Sequence, residues 1–378
     1  MEKKTIAWIT GSNFFDVDMQ VIPHLAEKYE IYWIVIHQVD SFFLVTDIER
    51  IAKLTNIEYK IIELKHRLRS WRVGIQFWKL IKKVKLQKAD LLYVNFLGFP
   101  YLFPLIWLSG IPQQTIIYAC HDFKDHFGIN NRKLFYIYKK FIFSCFENFH
   151  FFSLSQRNLF RKDYNNKKSF YAPLSLKDFG RPEIMMHTKN KTVFLFFGQI
   201  RKNKGLNILI KATNKLQKKC PNKFVVKIFG GCDDWSAYNS LIEDYTCYEI
   251  RIARVENKDI PNIFATTHYL VLPYLDVTQS GPLFISYNYG VPVIASNHPG
   301  FSEFVKDKEN GFLFQDRDED SLFEIMCDII DGKYPYDKVK LNLKNYINRN
   351  LSIDNIKRMY CSGFDDILYK SKSLRHEK

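Results

Sequence analysis

Residues 273–311, PYLDVTQSGPLFISYNYGVPVIASNHPGFSEFVKDKENG, constrain the fold more than any other stretch of this chain. They read as a strand end, a polar turn, a helix, a Gly-Val-Pro turn, a buried apolar strand and a second glycine-bearing loop. A strand–helix–strand succession of that kind belongs to a parallel sheet covered by helices. The turn Thr278-Gln279-Ser280-Gly281 opens its helix with unpaired backbone N–H groups, two hydroxyls and the positive end of the helix dipole, a setting for an anion such as phosphate. Taken alone, the same residues also suit a plain βαβ unit with a capped helix.

The pattern recurs along the chain. Residues 5–10 form a short apolar run that stops at Gly11-Ser12-Asn13, a helix follows around 18–28, and 31–36 (IYWIVI) is the next apolar run. Further strands are expected at 59–63, 91–96, 115–119 and 149–154. Residues 172–190 lose the periodicity and carry two prolines, so a linker is placed at 176–190. After it the alternation restarts, with strands at 193–198, 225–230, 269–273 and 293–295 and helices at about 205–217 and 281–289. This predicts an α/β protein of two doubly wound Rossmann-like domains, 1–175 and 191–340. A last helix, about 341–370 within a segment 341–378, has room to cross back onto the first domain.

A chain of 378 residues is long for a single core, which agrees with two domains. Its formal charge is +15, unevenly placed: residues 1–175 carry 25 Lys and Arg against 15 Asp and Glu, hence +10. That asymmetry implies an anionic partner for the first half, whether nucleic acid, an acidic membrane face or a phosphorylated substrate. Seven dispersed cysteines, with no CxxC pair or His at metal spacing, suggest reduced thiols in the cytoplasm. MEKKTIAWIT lacks the plan of a signal peptide, and no apolar run nears the roughly 20 residues needed to span a bilayer. The expectation is a soluble or membrane-peripheral protein.

The second domain opens with FLFFGQIRKNKGLNILIKA (194–212), where a buried strand ends at Gly198 and a helix begins near Gly205. Arg201 and Lys204 lie in the intervening loop, at the carboxyl edge of the sheet, where open α/β folds bind ligands. Arg grips phosphate oxygens bidentately and Lys supplies a point charge. A solvated basic loop would look the same.

The order FFGQIRKNKGL, VLPYLDVTQSG, YGVPVIAS, PGFSEFV, NGFLF resembles the C-terminal domain of retaining glycosyltransferases of family 4, which have the GT-B fold, two Rossmann-like domains facing a central cleft. The likeness covers about 190–320; the first half shares only an α/β pattern and a His-Asp pair. It implies that Gly198, Lys204 and Gly205 match the family's diphosphate loop, with Gln199 where Arg is common and Arg201 as a second clamp. The family's Glu-x7-Glu positions fall here on Val277 and Ile285, so both carboxylates are missing and Thr278-Gln279-Ser280-Gly281 stands instead. By the same likeness, Phe229-Gly230-Gly231 and Arg254-Val255-Glu256 fall at the base pocket, and Gly11 in the loop approaching the donor. The resemblance also implies that His121, where the apolar strand of TIIYACHDF ends, stands beside the reacting sugar, with Asp122 able to fix its tautomer. A structural His-Asp pair is the alternative. Glu303 matches a common family Glu, and His126 and His298 sit in loops within reach of a ligand.

The resemblance further implies transfer of a hexose from a nucleotide-diphosphate sugar to a glycan or polyprenyl-diphosphate-linked acceptor in bacterial surface polysaccharide synthesis. It implies a front-face displacement with no metal required and no cofactor. The competing readings are a nucleotide-sugar epimerase of the same architecture and a sugar-nucleotide-binding protein that has lost activity. Segment 64–88 holds nine Lys and Arg and no acid, with Leu68, Trp71, Ile75, Trp78, Ile81 and Val84 at helical spacing. Its apolar stripe is expected to pack on the first sheet, leaving the basic face to anionic lipid on the inner side of the cell membrane. No recognised nucleic-acid module is present.

Overall fold

The structure, a computed structural model, describes residues 3–38, 41, 43–54, 57–123, 132–183 and 191–376. The chain divides into two compact units, Met1–Ser175 with Ile353–Lys378, and Leu176–Ser352. The first holds β1 (Thr5–Gly11), β2 (Glu30–Gln38), β3 (Tyr59–Leu64), β4 (Leu91–Asn95), β5 (Ile116–Cys120), β6 (Asn148–Phe151) and β7 (Lys168–Tyr171). They form one sheet in the order β3-β2-β1-β4-β5-β6-β7, and every pairing is parallel. The second holds β8 (Thr192–Phe197), β9 (Phe224–Phe229), β10 (Tyr248–Arg251), β11 (Tyr269–Leu272), β12 (Val293–Ser296) and β13 (Gly311–Phe314). Their order is β10-β9-β8-β11-β12-β13, again all parallel.

The central strands are buried almost throughout, as parallel strands covered on both faces must be. The doubly wound expectation holds in both units. Sequence reading overlooks β7, β10 and β13: the residues of β7 and β10 are half-buried or alternate with exposed ones, and β13 is only four residues long, so none leaves the long apolar run of a central strand.

The basic helix corrects the expected packing. Over Trp71–Leu86 the buried side chains are Val73, Phe77, Leu80, Ile81 and Val84, which join the core formed by Tyr32, Ile34 and Ile36. Ile81 and Val84 are buried as expected, but Trp71, Ile75 and Trp78 are exposed at 66%, 43% and 47%. The helix carries two apolar stripes, and the one spaced 73, 77, 80, 84 meets the sheet. Trp78 instead supports Lys82, whose Nζ lies 3.7 Å from its ring centre.

The chain's end differs in detail from the single helix expected over 341–370. A helix Tyr336–Tyr346 and a π-helical turn Ile347–Leu351 belong to the second unit, and the helix Ile353–His376 belongs to the first. In that last helix Tyr360 and Phe364 pack on Trp8 and Tyr93 with ring centres 5.7–6.2 Å apart. Gly363 lies so close to β7 that a Cβ there would meet the Phe170 ring at 2.5 Å. Tyr29 donates to Asp365 at 2.9 Å, tying the helix to the first unit's rim. The expected linker is described as far as 183; there Lys177 and Phe179 donate backbone N–H groups to Phe284 O and Tyr289 Oη of the second unit.

Candidate functional site

In the second unit, the loops at the carboxyl ends of β8 and β9 hold positions that only glycine can fill. Gly198 follows β8 at φ +105°, and a Cβ on Gly230, after β9, would stand 1.9 Å from Gly198 O. The loop stays on the sheet through Gly198 N–H to Phe229 O (3.0 Å) and Ile200 N–H to Gly231 O (2.8 Å). A 3-10 turn, Lys202–Lys204, then leads to Gly205 at φ +64°, where a Cβ would lie 1.8 Å from Pro273 O. Leu275 N–H donates to Asn203 O at 2.9 Å, so the loops after β8 and β11 are joined directly.

That junction sets Lys204 Nζ 3.7 Å above the ring centre of Tyr274, a residue 2% exposed. Burial, and secondarily the nearby Arg201 cation, pull the Lys204 ammonium down to about 8. Lys204 has no anionic partner among the described residues. Arg201 is exposed, and Gln199 beside it likewise.

Four residues past Tyr274 the polar turn reaches the helix Gly281–Asn288. Ser280 occupies the cap position without capping the helix; its Oγ is buried against the Tyr274 hydroxyl. Thr278 is buried, Gln279 half-buried. The turn is backed by Gly300, whose Cβ position lies 2.8 Å from Val277 O and 2.9 Å from Thr278 O. Gly198 faces Pro282 across this end, and Lys177 Nζ lies 3.4 Å from the Cβ position of Gly281. Lysine at the positive end of a helix opposes the usual electrostatic preference. The arrangement therefore gathers cations, a buried hydroxyl and the first turn of a helix, which together suit a phosphate or diphosphate.

Gly198, Lys204, Gly230, Ser280 and Gly281 are brought together in this way. Val255 is half-buried in the loop after β10, two strands from β8. His298 pairs with Asp316 at 3.0 Å, while His126 lies outside the described residues. Glu303 contributes its backbone oxygen to the Tyr346 hydroxyl. Among the described residues no group of three His, Cys, Asp or Glu could hold a metal ion. Sequence reasoning missed Tyr274 and Lys177. The first had a signal, an aromatic residue just past a buried strand at the sheet's carboxyl edge; Lys177, in the aperiodic linker, had none.

In the first unit, His121 follows β5 and is sandwiched between Phe14 and Phe152, at ring distances of 4.0 and 4.3 Å. Its Nε2 pairs with Asn95 Oδ1 at 2.8 Å. Asn95 ends the neighbouring strand β4, which brings it to the ring. The Asp122 carbonyl accepts from Lys139. Gly11 is buried against Phe96, where a Cβ would stand 2.3 Å from the ring.

Residues 191–332 match the family model described as Glycosyl transferases group 1. A curated relative, an uncharacterized glycosyltransferase of Methanocaldococcus jannaschii, is 26% identical over 166 residues, 43% of this chain and 42% of the relative. The chain thus aligns with less than half of that relative's length. A glycosyltransferase structure from Rickettsia africae superposes with a TM-score of 0.72 at 16% identity, covering 97% of this chain and 99% of the other. The Anabaena protein HepE, in complex with UDP and glucose, gives 0.73 at 14% identity, covering 96% and 100%. These likenesses make the fold GT-B.

Proposed function

We propose that the protein is a retaining glycosyltransferase of the family 4 type, moving a hexose from a nucleotide-diphosphate sugar to a glycan acceptor. The observation that carries this reading is the half-buried Lys204, with no anionic partner among the described residues, set over the Tyr274 ring whose hydroxyl meets Ser280 at the cap of the helix Gly281–Asn288. As the sugar departs, negative charge builds on the leaving diphosphate. Lys204, Arg201 and the Ser280-Gly281 amides stabilise it, with Lys177 as an added cation. The leaving phosphate then assists the acceptor hydroxyl in a front-face displacement, and the cations do the electrostatic work a metal would otherwise supply. Val277 and Ile285, where the usual paired carboxylates would fall, are 8% and 7% exposed. An acid there would be buried, so Thr278 and Gln279 take over the hydroxyl contacts in this branch.

The acceptor in this reading is a polyprenyl-diphosphate-linked glycan, handled on the cytoplasmic face of a bacterial membrane during surface polysaccharide synthesis. Exposed Trp71 and Trp78, with Leu86 (79%) and Leu108 (70%), stand among the nine cations of segment 64–88 and suit an anionic headgroup layer. No described helix is long and apolar enough to cross a membrane.

Thermal melting against UDP, GDP, ADP, TDP and CMP tests the nucleotide site. UDP is the first candidate, since HepE is seen with UDP. At a hundredfold excess over Kd, binding adds about 2.7 kcal/mol to stability, a rise of roughly 5–10 °C for a unit of this size. A shift with one diphosphate names the donor's base. Silence across the panel at several millimolar removes the anion-site reading.

A further inference from the structure

The first unit carries an apolar groove away from the carboxyl edge of its sheet. It runs between the end of the helix Trp71–Leu86 and the helix Leu102–Leu108, which pack on each other. Its volume is about 680 Å³, and Trp78, Leu86, Leu105 and Leu108 form much of its wall. Clefts of that size with mainly apolar walls are the common form of a small-molecule site. Lys82, Lys85 and Lys88 share the lining, which holds no acid among the described residues. Lys82 Nζ rests 3.7 Å from the Trp78 ring centre, and Lys85 Nζ reaches across to donate to Ser109 O at 2.6 Å. A helix C-terminus attracts lysines through its dipole, which alone would account for Lys83 and Lys85 in the last turn. The dipole gives no reason for exposed Leu86 and Leu108 beside them. Apolar exposure is also uneven across the molecule. These two helices and the helix Arg132–Cys145 expose Trp71, Ile75, Trp107, Leu134 and Ile137 as well, and Trp107 meets Phe141 of that third helix at 6.0 Å. Among the described residues, the second unit exposes only Tyr245 and Leu341 of its large apolar side chains.

We infer that this groove encloses one aliphatic chain of an anionic bilayer lipid, whose phosphate is met by Lys82, Lys85 and Lys88. An apolar wall beside clustered ammonium groups matches the two halves of such a molecule, a hydrocarbon tail and a negative head. A headgroup layer touches exposed side chains from outside. Here a single tail leaves the bilayer and is taken in. The position of the groove says what the lipid is for. Lys88 lies just before β4 and Ser109 leads toward β5, so the groove opens at the amino edge of the sheet. The five residues of β4, roughly 16 Å, separate it from the carboxyl edge where open α/β folds bind substrates. The lipid is therefore a tether and not the acceptor. Its binding needs neither nucleotide nor transfer, and holds or fails apart from the transferase reading.

Calorimetry of the whole protein with butyl, hexyl, octyl and decyl phosphate, each below its micelle concentration, tests the groove. Burial of each further methylene should raise affinity about fourfold until the chain fills the space. An affinity that ignores chain length and is matched by inorganic phosphate would mean that the lysines bind anions alone, and overturns the inference. Leu108→Glu puts a carboxylate into the groove from an exposed position, so the fold should hold while decyl phosphate binds about tenfold more weakly or worse. Ile137→Glu, exposed outside the groove, should leave that affinity within about twofold. Equal losses in the two variants, or none in Leu108→Glu, defeat the groove. Sedimentation with phosphatidylglycerol vesicles should fall in Leu108→Glu as well. Alkyl phosphate binding without that fall would mean a soluble amphiphile is the ligand, and overturns the tether.

Discussion

The two units share one topology and differ in the charge placed at its centre. Each sheet sets its first strand in the middle, its second and third to one side and the rest to the other, so the crevice opens between first and fourth strands: β1 and β4, then β8 and β11. In the first unit that position holds Asp18, an acid pushed up to about 7; in the second it holds Lys204, a cation pulled down to about 8. Burial is the leading cause in both. What separates them is company. Asp18 is wrapped by three donors of its own unit, whereas Lys204 meets an aromatic ring and the repulsion of Arg201. An internally satisfied charge organises its surroundings. One left unsatisfied waits for a ligand of opposite sign.

The loop glycines give the largest expected contrast. Gly205→Ala drives a Cβ against a backbone oxygen at positive φ, which should cost the second unit roughly 3–5 kcal/mol. Gly11→Ala meets only the movable Phe96 ring at φ −74°, and about 1–3 kcal/mol is expected. Urea unfolding reads Gly205→Ala through Trp235, the only tryptophan of the second unit, and Gly11→Ala through the first unit's Trp8 and Trp33 in a Trp235→Phe background; equal costs would mean the loops are equally forgiving. Next comes Lys204→Ala, which should leave the fold intact and weaken nucleotide diphosphate binding by roughly 10–100-fold. In the unmodified protein, affinity should fall as pH rises through about 8, since the anion needs the charged ammonium. Calorimetry showing a flat profile to pH 9.5 would remove Lys204 from the clamp. The smallest effect is at the first unit's surface: Trp71→Ser with Trp78→Ser should change stability by less than about 0.5 kcal/mol yet reduce sedimentation with anionic vesicles. Equal sedimentation would detach the exposed stripe from any membrane role.

The sequence made the parallel sheets and the loop after β8 readable because buried strands and glycine turns leave local signals. FLFFG and YGVPVIAS announce strand and turn within a few residues of each other. Side-chain partners across the fold leave none. Nothing local links Asp18 with Asn95, 77 positions away, or brings Lys177 to Gly281. Asn95 at the end of LLYVN did offer a hint, a polar residue closing an apolar strand. The basic helix misled for another reason: with two apolar stripes, periodicity alone does not say which meets the sheet.

The placement of the helix Ile353–His376 has a consequence for biosynthesis. The ribosome finishes the first unit's sheet at β7, then makes all of residues 176–352 before the side chains that cover Trp8 and Tyr93 exist. At about 5–20 residues per second this interval lasts on the order of ten to forty seconds. The second unit can be complete while the first still shows an unsealed aromatic surface. The part of the chain made first is the part finished last, and a nascent chain would need a chaperone on its earliest residues, not its latest.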